Sequence, residues 1–119
     1  DMDHMVICLC CSCCCSQVRG RTRWNNEHSI EPSNFVARAG DDCILCEECV
    51  AACPFKALEA SESEGRVVAR QDKCMGCGVC TLQCPTQALR LTRLERRKTY
   101  GNVVELIKTI ADENGTTLF

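Results

Sequence analysis

The chain has 119 residues, with 14 Lys and Arg against 16 Asp and Glu, and 14 cysteines. That length suits one small domain with extensions; with only three Phe, one Tyr and one Trp, its core is light and needs cross-links or bound metal to hold it. The near-zero net charge excludes the positive field that nucleic acid binding requires, and no run reaches the roughly 20 apolar residues of a membrane span.

Four segments follow in chain order. Residues 1–15 are a Cys-dense head, which with residues 16–33 makes a Cys-rich, metal-binding element and linker over 1–33. Its start has no basic region ahead of an apolar stretch, so it does not read as a signal peptide. His4-Met5 resembles a cloning remnant, and the chain is expected to be a fragment of a longer protein with native residues from near Val6. Cys8, Cys10, Cys11, Cys13, Cys14 and Cys15 place six thiols in eight residues. Bare thiols at that density oxidise or scavenge metal, so a metal site is expected ahead of S-acylation or idle cysteines. Four of the six are expected to bind, with Cys8, Cys11 and Cys14 first because they recur at i+3. His4 and His28 are alternative ligands that read as surface residues. Residues 16–33 are polar, with Gly20, Asn25, Asn26 and Pro32, and read as a linker or surface loop. Arg19, Arg21 and Arg23 read as surface, and Trp24 as a cover for a bound group.

Residues 34–92 contain one unit twice. Cys43-x2-Cys46-x2-Cys49-x3-Cys53-Pro54 returns 31 residues later as Cys74-x2-Cys77-x2-Cys80-x3-Cys84-Pro85. The flanks repeat too: Asp41 matches Asp72, and Ala57-Leu58 matches Ala88-Leu89. In each unit three cysteines occupy a tight loop, and the fourth begins or lies on a short helix, with the following Pro turning the chain away. Residues 34–38, 57–59, 66–70 and 88–91 read as strands forming two antiparallel hairpins, one entered through a Gly65 turn. Residues 93–119 are a C-terminal extension. Val103, Leu106, Ile107 and Ile110 form an apolar stripe at helical spacing, opened by Gly101-Asn102 and stopped by Asn114-Gly115. The stripe reads as a cover for the core or as a docking face. Charge is uneven: residues 41–64 are acidic and 65–98 basic, which reads as a mixed solvated surface or as docking faces of opposite sign.

The eight-cysteine pattern resembles the ligand run of bacterial two-[4Fe-4S] ferredoxins. Each iron of such a cube takes one thiolate, and three cysteines at i, i+3 and i+6 reach three corners. A zinc ribbon needs only two Cys-x2-Cys pairs, and a disulfide framework does not explain two matched runs ending in Pro. The resemblance implies an α+β, ferredoxin-type (βαβ)2 fold and one-electron transfer at low potential. It implies that the fourth cysteine of each run ligates the other cluster. Cluster I then takes Cys43, Cys46, Cys49 and Cys84, and cluster II takes Cys74, Cys77, Cys80 and Cys53. Glu47 and Glu48 flank the first loop and Gly76 and Gly78 the second, so cluster I is expected to have the lower potential.

The head is similar to a Cys-Asn-Cys-Cys-x-Cys-Cys-Cys element that precedes two-cluster domains in some longer, anaerobic ferredoxin-like proteins, with Pro32-Ser33-Asn34-Phe35-Val36-Ala37 between the parts and Leu9 in place of Asn. It implies a larger electron-transfer protein, with either a third iron–sulfur cluster or zinc at the head. The leading expectation is an electron-transfer module working between a redox donor and an acceptor in a reducing, cytoplasmic setting, as a domain or subunit of a larger chain or complex. The alternatives are an enzyme component with substrate chemistry at the head, and a redox or metal sensor. No Ser-His-Asp set, P-loop or dinucleotide fingerprint is present.

Overall fold

In the computed structural model, residues 9–116 are described. Residues 10–97 form one compact unit, and residues from Lys98 onward belong to another, described by itself below.

The larger unit runs α1 (Ser16–Arg23), β1 (Phe35–Ala39), α2 (Glu48–Ala52), β2 (Leu58–Ser61), β3 (Arg66–Ala69), α3 (Val79–Gln83) and β4 (Leu89–Arg93). Two small antiparallel sheets result. β2 and β3 are a true hairpin, in register from Leu58↔Ala69 to Ser61↔Arg66. The other sheet is not the second hairpin expected from sequence. It joins β1 to β4, from Phe35↔Arg93 to Ala39↔Leu89, so the first and last strands close the unit. Val36, Ala37, Ala57, Leu58, Val67 and Leu89 are buried together with Cys49, Cys74 and Cys80. Each fully buried Val or Leu contributes about 1.5–3 kcal/mol, and so few of them make a light core in which thiols are part of the packing.

The backbone carries the 31-residue spacing as well as the cysteines do. Left-handed φ angles recur in pairs: Leu45 (54°) with Gly76 (67°), Glu47 (61°) with Gly78 (82°), and Lys56 (50°) with Gln87 (54°). Glu47 and Gly78 are the N-caps of α2 and α3. The third cysteine of each run, Cys49 or Cys80, lies on the helix, and the fourth is its C-cap, not its start. Cys53 (φ −66°, ψ 114°) and Cys84 (φ −78°, ψ 112°) are extended, because Pro54 and Pro85 disfavour the helical region for the residue before them.

The segment read as a linker contains α1. It has no apolar stripe and a glycine in its interior, so propensity argues against it. It is held by contacts: Gly20 packs so closely on Ser29 that an added Cβ would sit 2.7 Å from the Ser29 Cβ. The Arg21 guanidinium donates to the carbonyls of Glu27 (2.7 Å) and Asp72 (3.0 Å).

In the second unit α4 spans Val103–Glu113. The Asn102 side chain accepts from the Glu105 amide at 2.9 Å, and the Gly101 amide donates to the Glu105 carboxylate at 2.9 Å, a reciprocal cap. Gly115 (φ 64°) ends the helix, its amide reaching the Asp112 carbonyl at 3.1 Å. Of the predicted stripe, Val103, Ile107 and Ile110 are exposed.

Candidate metal centre

Each loop places its cysteines through short backbone hydrogen bonds. The Cys43 amide donates to Gly40 O at 3.3 Å and the Cys74 amide to Arg70 O at 2.8 Å. Cys49, Cys74 and Cys80 are buried, Cys43, Cys53 and Cys84 are half-buried, and Cys46 and Cys77 are exposed; all eight are free thiols.

A cavity opens among Cys53, Cys74, Cys77 and Cys80, lined otherwise by Ala37, Phe55, Leu58, Met75, Leu91 and their neighbours. The first run thus sends its fourth cysteine to the three loop cysteines of the second. Burial pushes the Cys80 thiol up to about 11, and negative charge at Cys53, Cys77, Cys74 and Cys49 adds to it in that order. On the other side burial pushes Cys49 up, and Cys46 and Cys84 are the charged neighbours that add to it. So the fourth cysteine of the second run stands by the first. These side chains fit an iron–sulfur group: four thiols from two loops face one apolar cavity, with no carboxylate or imidazole in its lining. Bound iron reverses the pKa logic of the bare thiols, because the cation favours the thiolate.

Two residues outside the cysteine pattern hold the second loop. Arg96 donates to the carbonyls of Cys74 (2.7 Å) and Phe35 (3.0 Å). The Ser33 amide donates to Met75 O at 3.0 Å and its hydroxyl to Gly76 O at 3.1 Å. Ser33 was noted from sequence only within the stretch that joins the head to the core, and Arg96 only as one of a basic run; an arginine in such a run carries no signal that its partner is a loop carbonyl. Asn34 supports the same corner: its Oδ1 accepts from the amides of Arg96 and Arg97 at 3.0 Å each.

At the head, the Sγ atoms of Cys11, Cys13 and Cys14 lie within 4.8 Å of one another, with Cys11 at 2.9 Å from Cys13 and 2.8 Å from Cys14. Cys13 and then Cys14 hold the Cys11 thiol down at about 6, while Cys11 pushes Cys14 up to about 12. Cys15 is held below its ordinary value, by the Val18 amide first and then by Cys10. Of the three first-choice ligands, Cys11 and Cys14 meet, Cys13 joins them, and Cys8 lies outside the described residues, as does His4. His28 is exposed and not part of the trio. Trp24 does not line the cysteine cavity; Arg19 stands over its ring at 5.4 Å.

The acidic and basic segments are partly paired with each other. Arg66 binds Asp41 at 3.0 Å and Arg70 binds Glu59 at 3.6 Å. Pairs this exposed contribute little to stability. Among the described residues no helix is long and apolar enough to cross a membrane.

A small α+β fold whose loops gather thiols around a shared interior is a metal–thiolate scaffold. Residues 42–103, just over half the chain, match the family model of the 4Fe-4S dicluster domain, and the chain belongs to that family. No curated protein matches the chain. It is an iron–sulfur protein of the electron-transfer type.

Proposed function

We propose that the chain carries single electrons at low potential through two [4Fe-4S] clusters on a duplicated (βαβ)2 scaffold. Cys43, Cys46, Cys49 and Cys84 hold cluster I, and Cys74, Cys77, Cys80 and Cys53 hold cluster II. The observation that carries this reading is the cavity shared by Cys53 with Cys74, Cys77 and Cys80. The paired left-handed residues 31 apart support the duplication. When bound, each cluster supplies a reversible one-electron couple. The protein's part is to fix and tune it. The Ala57 amide lies 3.4 Å from the Cys53 sulfur, and amide donors to sulfur raise the potential. Arg96 adds positive charge behind Cys74, whereas Glu47 and Glu48 stand beside the first loop, so cluster I has the lower potential of the two.

The head is a further metal-binding element within the six cysteines Cys8, Cys10, Cys11, Cys13, Cys14 and Cys15, and the chain works as a module of a longer, cytoplasmic redox protein or complex that links a donor to an acceptor. Iron and acid-labile sulfide analysis of anaerobically prepared protein tests the core. The expected result is about eight of each per chain. Cys53→Ser should perturb the cluster of the second loop and Cys84→Ser that of the first. Four irons per chain, or each serine disturbing the cluster of its own loop, overturns the assignment.

A further inference from the structure

We propose that Cys11, Cys13 and Cys14 supply three thiolates to a mononuclear zinc site. The inference rests on the reading of the head as metal-binding and is independent of the two-cluster core. It decides between a third cluster and a single ion.

Distance makes the first distinction. Two thiolates on one tetrahedral ion, each about 2.3 Å from the metal, stand about 3.8 Å apart. The three sulfurs all lie within 4.8 Å of one another, so shifts of an ångström or less centre one ion among them. In a cube each thiolate belongs to a different iron, and sulfide bridges keep the ligands further apart. The chain supplies its own comparison. Among the described residues, the cysteines of the two ferredoxin runs form no trio this tight. Their loops space ligands by three, whereas the head takes three ligands from four consecutive residues in a turn.

Ligand type makes the second distinction. The trio has no carboxylate or imidazole, a donor set that selects soft, thiophilic ions over magnesium or calcium. Cys15 is the N-cap residue of α1 and is not one of the trio. All three cysteines are exposed, so an ion has access.

The test uses the whole chain with its clusters, titrated anaerobically with Zn(II) against a colorimetric chelator. Wild type is expected to hold one zinc ion per chain beyond its iron. A Cys11→Ser, Cys13→Ser, Cys14→Ser variant should lose that ion with iron and sulfide unchanged, which also shows that the variant is folded. Cys10→Ser, Cys15→Ser should keep it. Cobalt(II) at the wild-type site should give sulfur-to-metal charge-transfer bands that the triple variant lacks. If the triple variant instead loses about four irons and four sulfides, the head holds a cluster and the zinc site is wrong, although the head still binds metal. If neither zinc nor iron is bound there, the metal-binding reading itself fails.

Discussion

At Gly76 the second loop passes hard against β1, and replacing it by alanine probes the site without touching a cysteine. A Cβ at Gly76 would press into the Phe35 carbonyl oxygen and the Ser33 hydroxyl and come within 2.9 Å of the Phe35 carbonyl carbon. These are largely backbone atoms of a paired strand, and Arg96 and Ser33 fix them further, so they cannot step aside cheaply. Gly76 also has φ 67°, which costs an L-residue about 1 kcal/mol. Overpacking against fixed neighbours adds about 1–3 kcal/mol, for a total of about 2–4 kcal/mol. Gly65 is the control. Its φ is 64°, and an added Cβ there meets nothing within 4 Å, so Gly65→Ala carries only the conformational cost of about 1 kcal/mol. Leu45, at the matching place in the first loop, carries a side chain at φ 54°. The backbone angle alone is therefore tolerable, and the close approach is what excludes alanine at 76. The assay is the anaerobic thermal midpoint of the cluster-loaded protein, with iron content measured in parallel. At about 3–6 °C per kcal/mol for a chain of this size, Gly76→Ala should fall by about 6 °C or more and shed iron from the second loop first. Gly65→Ala should fall by about half as much or less and keep its iron. Equal losses in the two variants would refute the claimed packing of the loop on β1.

Other residues give further outcomes. Glu47 is exposed and left-handed at the N-cap of α2, so Glu47→Gly should stabilise the protein by about 1 kcal/mol and raise the lower of the two potentials; a lower thermal midpoint would contradict the strain. Arg96→Gln should lower the potential of cluster II by roughly 60 mV, a tenfold change in a one-electron equilibrium, with Arg96→Lys recovering part of it. A potentiometric titration in which only cluster I moves would contradict the placement of that charge. Cluster loading of metal-free protein should speed up between pH 7 and pH 9. The Cys80 thiol is raised from 9.0 to about 11, so the metal-free fold keeps its proton at pH 7; that contribution to stability is full below pH 9 and drains as pH rises through about 11, and iron must displace the same proton. A loading rate indifferent to pH would show that deprotonation of the buried thiols does not limit assembly.

The 31-residue repeat of the cysteine runs was legible because spacing is a covalent property of the chain, visible without any packing. Each end of strands β1 to β4 was found to within two residues, since their alternation and bounding turns are local. The pairing of β1 with β4 was not, because closure of first strand on last depends on a core assembled from both repeats. α1 was missed for a related reason: Ser16–Arg23 has no apolar periodicity, and its support comes from outside the helix, from Ser29 in the loop that follows and from Asp72, distant in sequence. At the site, the sequence shows Gly76 and Gly78 but not that Leu45 and Glu47 adopt the same left-handed backbone. Nor does spacing at i+3 single out Cys13, because the turn through residues 12–14 folds it back beside Cys11.

The central claim is that this scaffold takes up and returns electrons one at a time at two places. A coulometric titration of the anaerobic, cluster-loaded chain, with unpaired spins counted at each step, measures that directly. Two electrons should be accepted per chain at two separable potentials, each adding one spin and each reversible on reoxidation, and Cys53→Ser should perturb the step with the higher potential. Uptake of no electrons by fully iron-loaded protein would contradict the account.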